Sequence, residues 1–188
     1  MRKLLLITGD IAAGKSTFAE ILSKRYQVIA LCKDDIKEVL GDTIGFSNRQ
    51  ENKKLSDATV GLMAFVFSEF VKLGNDLILE ANFHEHELEK LHQIAAENNY
   101  EVLTLILQGD IKILHERYLN RMNYENRHPV HLSTTIDIFE DFKKCIDYSR
   151  AEKVRGNTIT VNADNFNYQN DVDLLGRIDD FMRNAACK

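Results

Sequence analysis

Short apolar runs alternate along the chain with longer segments in which apolar residues recur at the spacing of a helix. Five of these runs have the length and composition of strands that are buried on both faces: Leu4 to Thr8, Val28 to Cys32, Leu77 to Ala81, Val102 to Leu107 and Thr158 to Val161. In the segments between them, apolar residues three and four positions apart mark one face of a helix. The alternation predicts an α/β fold of three αβα layers, with a five-stranded parallel sheet between helices.

Capping residues set the expected ends of the helices. We predict helices over residues 15–25, 36–40, 47–73, 85–97, 110–122, 133–151 and 171–183. Ser47, Asp110 and Ser133 are the expected N-caps of three of them, and Gly41 is expected to close the shortest. The second half of the longest helix, 62–71, is apolar nearly all round, so we expect it to lie in the core.

Composition and charge are those of an ordinary globular chain. Its 188 residues can bury a core, and we expect a single domain over 1–188. The net charge of −5 argues against a dedicated nucleic-acid binder. The three cysteines are too far apart for a disulfide framework or a zinc site. No apolar run reaches the ~18 residues of a membrane span, so we expect no membrane contact and a cytoplasmic location.

The segment between the first strand and the first helix matches the pattern GxxxxGK(S/T). In such a loop backbone N–H groups turn toward a triphosphate, and the following helix presents its positive end. We therefore expect ATP to be bound by Gly9, Asp10, Ile11, Ala12, Ala13, Gly14, Lys15, Ser16 and Thr17. Lys15 is expected to bridge the β- and γ-phosphates, and Ser16 to ligate Mg²⁺. Asp10 is an acid inside an anion-binding loop, so its carboxylate must point away from the phosphates.

An acid pair, Asp34 and Asp35, follows the second strand. In parallel sheets ligands bind beyond the carboxyl ends of the strands, which places Asp34 near the γ-phosphate. A kinase needs a carboxylate there to orient the acceptor hydroxyl and to accept its proton. The alternative is that the acids only cap the short helix that follows, and Asp35 fits that second role.

The phosphate loop followed by Lys33-Asp34-Asp35-x-Lys37 resembles the small P-loop kinases. This group includes polynucleotide 5′-kinase domains, chloramphenicol phosphotransferase, zeta-toxin-type kinases and AAA-type kinase-like ATP-binding proteins. The resemblance implies that Asp34 is the general base and that the acceptor binds near Asp34 and Lys37. Lys37 stands where the polynucleotide kinases have an arginine. This difference weakens the inference that a phosphate of the acceptor is bound at this position.

The third strand ends in Glu80-Ala81-Asn82, which resembles the Asp-x-Asn that ends a strand in the same kinases. The resemblance implies that Glu80 and Asn82 face the acceptor or the water shell of Mg²⁺. An ordinary strand end is the alternative. The loop after the fifth strand, 161–165, occupies the place where related kinases hold the adenine.

A further part of the resemblance is a helical lid over about 110–132. It implies that Arg121 contacts the transferring phosphoryl group and that Arg117 and Arg127 help to bind the nucleotide. Arg117 and Arg121 are four residues apart and share a helix face. Planar guanidinium groups suit phosphoryl charge. The alternative is a solvated face on which the arginines pair with neighbouring glutamates.

The leading hypothesis is an ATP- and Mg²⁺-dependent kinase that transfers the γ-phosphoryl group to a hydroxyl of a small molecule. One alternative is a polynucleotide kinase acting on a 5′-hydroxyl end of a nucleic acid. It is disfavoured by the net charge of −5 and by the acidic residues expected around the acceptor. The other is a regulatory P-loop ATPase, in which Glu80 would polarise water. The sequence leaves the acceptor's identity and the oligomeric state open.

Overall fold

The computed structural model describes residues 2–124, 127–132 and 136–183. In chain order these residues form β1 (Arg2–Gly9), α1 (Lys15–Tyr26), β2 (Ala30–Cys32), α2 (Lys33–Ile44), α3 (Arg49–Leu73), β3 (Leu77–Glu80), α4 (Glu85–Glu97), β4 (Tyr100–Gln108), α5 (Ile111–Tyr124), α6 (Phe139–Ala151), β5 (Thr158–Asn162) and α7 (Val172–Arg183). Two short 3₁₀ turns, Pro129–His131 and Asn167–Asn170, lie after α5 and β5. The predicted alternation of strands and helices is confirmed.

The five strands form one parallel sheet in the order β2-β3-β1-β4-β5, as predicted. β1 is central, and its Leu6 pairs with Leu79 of β3 on one side and with Thr104 of β4 on the other. From β1 the chain moves to β2, at one edge of the sheet. From β3 and from β4, the two neighbours of β1, it moves toward the other edge. In open α/β sheets ligands bind beyond the carboxyl ends of the strands at such a change of direction.

Alternate residues of the strands build a separate core on each face of the sheet. Leu5 of β1 belongs to a core that includes Phe18 of α1 and Phe142 of α6, together with side chains of α5 and α7. Leu6 belongs to the opposite core, which includes Phe67 of α3 and side chains of α4. Helices therefore cover both faces of the sheet, and the prediction of three layers is confirmed.

Helix α2 is longer than the predicted 36–40, because Gly41 does not end it. The helix begins at Lys33 and continues through Gly41 to Ile44. Gly41 is buried, and a Cβ at this position would lie 2.3 Å from Cγ1 of Val130. The glycine therefore serves the close approach of the segment after α5, and the prediction that it stops the helix was wrong.

Helix α3 differs from the prediction at its start and on one face. Its N-cap is Asn48 and not Ser47, since the Asn48 side chain accepts a hydrogen bond from the Glu51 N–H at 3.0 Å. Leu62 and Phe65 are 40% and 60% exposed, so only one stripe of the apolar second half is core. No helix within the described ranges, α3 included, is long and apolar enough to cross a membrane.

The ends of α5 and α6 were predicted with unequal success. Asp110 caps α5, because its Oδ1 accepts hydrogen bonds from the N–H groups of Lys112 at 2.9 Å and Ile113 at 3.2 Å. Ser133, the expected N-cap of the next helix, lies outside the described residues. That helix, α6, begins at Phe139, several residues later than predicted.

Candidate active site

A cavity of about 780 Å³ lies beyond the carboxyl ends of β1 and β3, between the first turn of α1, the start of α2 and α5. It brings together most of the residues that the sequence predicts to act on a nucleotide or an acceptor. Those that line it are Ile11, Ala12, Gly14, Lys15, Ser16, Thr17, Asp34, Lys37, Glu80, Asn82, Arg117, Arg121 and Arg127. Gly9, Asp10 and Ala13 belong to the same loop but do not line the cavity.

The loop between β1 and α1 runs tightly against the neighbouring strand. Gly9 has a φ of +123°, and a Cβ there would lie 2.1 Å from the carbonyl oxygen of Leu107 in β4. Only glycine accepts both this backbone angle and this approach. The loop thereby delivers the first turn of α1 to the cavity wall, where helix N–H groups and the positive end of the helix are available to an anion.

The ammonium group of Lys15 is buried at the start of α1. Its Nζ donates a hydrogen bond to the backbone oxygen of Asp10 at 2.7 Å. Burial lowers the pKa of Lys15, and the nearby carboxylates of Glu80 and Asp34 oppose that shift. The positive charge of Arg121 lowers the pKa of Lys15, as burial does. The two acids and the arginine therefore all lie within electrostatic reach of the Lys15 ammonium group.

Ser16 and Glu80 place on the cavity wall two oxygen-bearing side chains that could ligate a metal ion. The Ser16 hydroxyl donates to Glu80 Oε2 at 3.0 Å, and Glu80 is buried. Burial raises the pKa of Glu80, while the charge of Lys15 opposes the shift. Hydroxyl and carboxylate oxygens are the hard ligands that Mg²⁺ prefers, and protein sites for Mg²⁺ commonly supply only one or two of them beside substrate phosphates. The pair fits Mg²⁺ in its chemistry.

Three or more grouped His, Cys, Asp or Glu side chains that could hold a metal ion are not found among the residues that the structure describes. Asn82, which follows β3 and is exposed, lines the cavity with Glu80. The two residues of the predicted strand-end pattern thus reach the same cavity, and their separate roles stay predictions.

The acid pair divides between two cavities. Asp34 lines the large cavity and also an adjoining one of about 520 Å³, whereas Asp35 lines only the adjoining one. Helix α2 begins at Lys33 with Cys32 as its N-cap, so the idea that Asp35 is the cap was wrong. Burial raises the pKa of Asp35, and neighbouring Glu38 adds to the shift. The position of Asp34 beside Lys15 favours it over Asp35 as a base.

Asp10 turns away from the cavity, as the sequence analysis requires of an acid in this loop. Its carboxylate is buried and accepts a hydrogen bond from the N–H of Gly109 at 3.1 Å. Arg150 of α6 completes the arrangement with two further hydrogen bonds to the same carboxylate. The loop therefore contains a fixed negative charge that is matched by a cation from a distant helix.

Arg117 of α5 is engaged by the loop after β5. Its guanidinium group donates to the backbone oxygens of Ala163, at 2.5 Å, and of Asp164. The same group lies over the ring of Phe166, 3.9 Å from the ring centre. Arg117 thus joins the lid helix to the loop in which the resemblance places the adenine, and its predicted contact with the nucleotide would be on the base side.

Arg121 and Arg127 stand where the two cavities meet. Both arginines line the large cavity and the adjoining one, as do Ser16 and Asp34. The two arginines, Ser16 and Asp34 thus share the region where the two cavities meet. Guanidinium groups suit phosphoryl oxygens through their charge and planar fork. The geometry agrees with the predicted roles of these arginines, which remain predictions.

The segment 127–132 after α5, here called the lid segment, is docked on α2 and α3. The carbonyl oxygen of Val130 accepts hydrogen bonds from Asn52 Nδ2 at 2.8 Å and from Lys37 Nζ at 3.3 Å. His131 Nε2 lies 2.8 Å from Glu38 Oε1. Burial lowers the pKa of Lys37. Lys37, predicted to bind the acceptor, therefore also ties the lid segment to the helix that carries Asp34.

Some cavity residues escaped the sequence analysis. Ser56 of α3, Asn120 of α5 and Phe166 line the cavity. Asn120 lies three residues after Arg117 and beside Arg121, so the helix-face argument applied to the arginines could have found it. Ser56 and Phe166 carry no local signal. Tyr168, close to Phe166, donates a hydrogen bond from its hydroxyl to the carbonyl oxygen of Ala13 at 3.2 Å, which braces the phosphate loop.

Solved structures with the same architecture are kinases by description. A candidate kinase from Chloroflexus aurantiacus matches with a TM-score of 0.77 and 21% identity over 94% of this chain and 95% of that one. Shikimate kinase from Bacteroides thetaiotaomicron matches with a TM-score of 0.55 and 14% identity, over 96% and 98% of the two chains. APS kinase from Mycobacterium tuberculosis matches with a TM-score of 0.54 and 16% identity, over 93% and 98%. The chain therefore has the fold of the small P-loop kinases.

The chain belongs to the AAA domain family, because residues 4–143, about three quarters of its length, match the model of that family. The match contains the phosphate loop, the acid pair and the lid arginines. No curated protein matches the chain in sequence. Fold and family together confirm the resemblance to small P-loop kinases, including kinase-like AAA proteins.

Proposed function

We propose that the protein is an ATP- and Mg²⁺-dependent kinase that transfers the γ-phosphoryl group to a hydroxyl of a small molecule. The observation that carries the proposal is the convergence of Lys15, Asp34 and Arg121 on one cavity. A phosphate-binding lysine, a carboxylate and a guanidinium group are the parts that phosphoryl transfer needs. The kinase descriptions of the structures that share the fold support the same class of activity.

The proposed roles follow the placement of the residues. Lys15 binds the β- and γ-phosphates, and Arg121 stabilises the charge on the oxygens of the transferring group. Asp34 orients the acceptor hydroxyl and accepts its proton while the new O–P bond forms and the bond to the β-phosphate oxygen breaks. Ser16 and Glu80 are the residues that would hold Mg²⁺, which supplies positive charge to the phosphate oxygens when bound.

The small-molecule acceptor is favoured by the charges on the acceptor side. The adjoining cavity is lined by three carboxylates, of Asp34, Asp35 and Glu38, beside two guanidinium groups, of Arg121 and Arg127. A polynucleotide brings phosphates that these carboxylates would repel, and its binding would depend on Lys and Arg contacts. Glu80 accepts a hydrogen bond from the Ser16 hydroxyl, which favours a metal-holding role over the water-polarising role of a regulatory ATPase.

The test is transfer of label from [γ-³²P]ATP to a panel of nucleosides, sugars, antibiotics and 5′-hydroxyl oligonucleotides. We expect label in a small hydroxyl compound, with ATP consumption that depends on that compound. Efficient labelling of the oligonucleotide, with affinity that falls steeply as salt rises, would instead establish the polynucleotide alternative. Constant phosphate release in water, unchanged by every acceptor, would establish an ATPase.

The variant Lys15→Ala is expected to weaken ATP·Mg²⁺ binding by about 10- to 100-fold, the equivalent of ~1.5–3 kcal/mol for hydrogen bonds to a charged group. Titration calorimetry measures the loss, and circular dichroism checks that the fold is retained. Lys24→Ala is the matched control, because Lys24 lies in the same helix and makes an exposed ion pair with Glu20. Undiminished ATP binding by Lys15→Ala would remove the basis of the proposed function.

A further inference from the structure

Asp10 is an unusual residue for its position, because it places a carboxylate inside a loop that is built to bind an anion. The side chain is only 1% exposed, so water does not screen its charge. The backbone around it is fixed as well. Its N–H donates to the Leu107 oxygen at 2.8 Å, and its carbonyl oxygen accepts from Lys15 Nζ. An unpaired carboxylate here would oppose both folding and phosphate binding.

Arg150 supplies the matching charge. Its Nε donates to Asp10 Oδ1 at 3.1 Å and its Nη2 to Asp10 Oδ2 at 2.5 Å, which is a two-pronged contact. Nη2 also donates to the carbonyl oxygen of Gly109 at 2.6 Å. Arg150 does not line the large cavity, and it lies in α6, beyond the lid. Among the residues that the structure describes, its side-chain hydrogen bonds are to Asp10 and Gly109, and through them it reaches the nucleotide site.

We infer that Arg150 is a positioning residue of the nucleotide site: it neutralises Asp10 and holds the phosphate loop in the form that accepts a triphosphate. The inference rests on the proposed function, from which it takes the ligand. The other charged groups that act on Arg150 are Asp147 and Asp110, both acidic. Lys15 is within electrostatic reach of Asp10, but its Nζ donates to the Asp10 backbone oxygen, whereas Arg150 donates to the carboxylate itself.

Neutralising the charge of Asp10 and bracing the phosphate loop are two different roles for Arg150, and they respond differently to a second substitution. If Arg150 is removed, the Asp10 carboxylate loses the guanidinium group paired with it and stays close to the proposed phosphate site. If Asp10 is changed to asparagine at the same time, the shape and the hydrogen bond from Gly109 are kept while the charge disappears. A charge-neutralising role therefore predicts that the second change repairs the first, whereas a bracing role predicts that the two losses add.

The experiment compares the wild-type chain, Arg150→Ala and the double variant Asp10→Asn/Arg150→Ala by calorimetric titration with ATP·Mg²⁺. Arg150→Ala is expected to weaken binding by about 10- to 100-fold, the effect of one uncompensated charge several ångströms from the phosphates at an effective dielectric constant of about 20. The double variant is expected to bind within about threefold of wild type, because Asp10 and Arg150 are in direct contact and the effects of changing them couple rather than add. Arg155→Ala, an exposed arginine beyond the same helix, is the control.

Wild-type affinity in Arg150→Ala, or a double variant as weak as Arg150→Ala, would overturn the inference. If Arg150→Ala does not fold, the test uses Arg150→Lys and the double variant instead. Both variants are expected to bind ATP. The inference fails if neither of them binds it. The inference and the proposed function fail separately. A wild-type chain that binds ATP but phosphorylates no acceptor contradicts only the kinase proposal, and Arg150→Ala with intact ATP binding contradicts only the inference.

Discussion

Replacing Arg121 with alanine is expected to lower the turnover number of phosphoryl transfer by about 10³–10⁵, with a much smaller change in ATP affinity. Arg121 lines both cavities together with Asp34. In the proposed transfer, charge would spread over the phosphoryl oxygens at this place. A contact that strengthens only in the transition state raises turnover rather than ground-state binding. Steady-state kinetics with the identified acceptor, together with calorimetry of ATP binding, measures both quantities.

Two further variants sharpen the Arg121 test. Arg121→Lys keeps the charge but loses the planar fork, so we expect a turnover between those of wild type and Arg121→Ala. Arg155→Ala removes an exposed arginine that is paired with Glu85, and its turnover should equal that of wild type. A near-normal turnover in Arg121→Ala, or a loss confined to ATP affinity, would show that Arg121 does not stabilise the transferring group.

The change Asp34→Asn is expected to reduce turnover by about 10²–10⁴, because the amide keeps the shape of the side chain but cannot accept the acceptor's proton. ATP binding should persist, since Asp34 is 52% exposed and makes its proposed contact with the acceptor. Single-turnover transfer from bound ATP to the acceptor measures the chemical step, and calorimetry measures nucleotide binding separately.

The neighbouring acid provides a discriminating comparison. Asp35→Asn should leave most of the turnover, because Asp35 does not line the large cavity. Asp57→Asn, an exposed acid of α3 paired with Lys53, is the neutral control. If Asp35→Asn showed the large loss and Asp34→Asn did not, the general base would be Asp35 and the assignment from cavity geometry would be reversed.

The sheet and the phosphate loop could be predicted because their signals are local. A strand buried on both faces reads as an apolar run, and β1 is buried from Lys3 to Thr8. The GxxxxGK(S/T) loop is defined by eight consecutive residues, of which Ile11, Ala12, Gly14, Lys15 and Ser16 line the cavity. Asp34 was indicated by its place after the second strand and by the Lys33-Asp34-Asp35-x-Lys37 pattern, and Arg121 by the resemblance to a helical lid. Both line the same cavity.

The errors arise where tertiary contact decides what a local residue does. Glycine is a residue that commonly ends a helix, and Gly41 was predicted to do so. Instead, Val130 from the segment after α5 packs against Gly41, and the helix continues. Leu62 and Phe65 belong to an apolar stretch, yet the sheet offers only one face to α3 and leaves them exposed. Neither outcome can be read from neighbours in the sequence.

Long-range polar partners are the part of the site that a single sequence hides most completely. Asp10 and Arg150 are separated by 140 positions, and no periodicity joins them. The sequence does predict that Asp10 must turn away from the phosphates, because repulsion between like charges requires it. It does not contain the identity of the cation, since α6 carries several charged residues whose directions depend on how the helix packs.

The pairing of Asp10 with Arg150 bears on how related chains should vary. An acid at the second position of the phosphate loop and an arginine at the end of α6 form one unit, so evolutionary exchange at one position should be accompanied by exchange at the other. Relatives with a neutral residue after the first glycine are free to lose the arginine. A relative that keeps the acid but has lost the arginine would have an intact phosphate-loop motif and would still bind ATP poorly. The pair therefore distinguishes inactive members of the family that the motif alone would classify as ATP-binding.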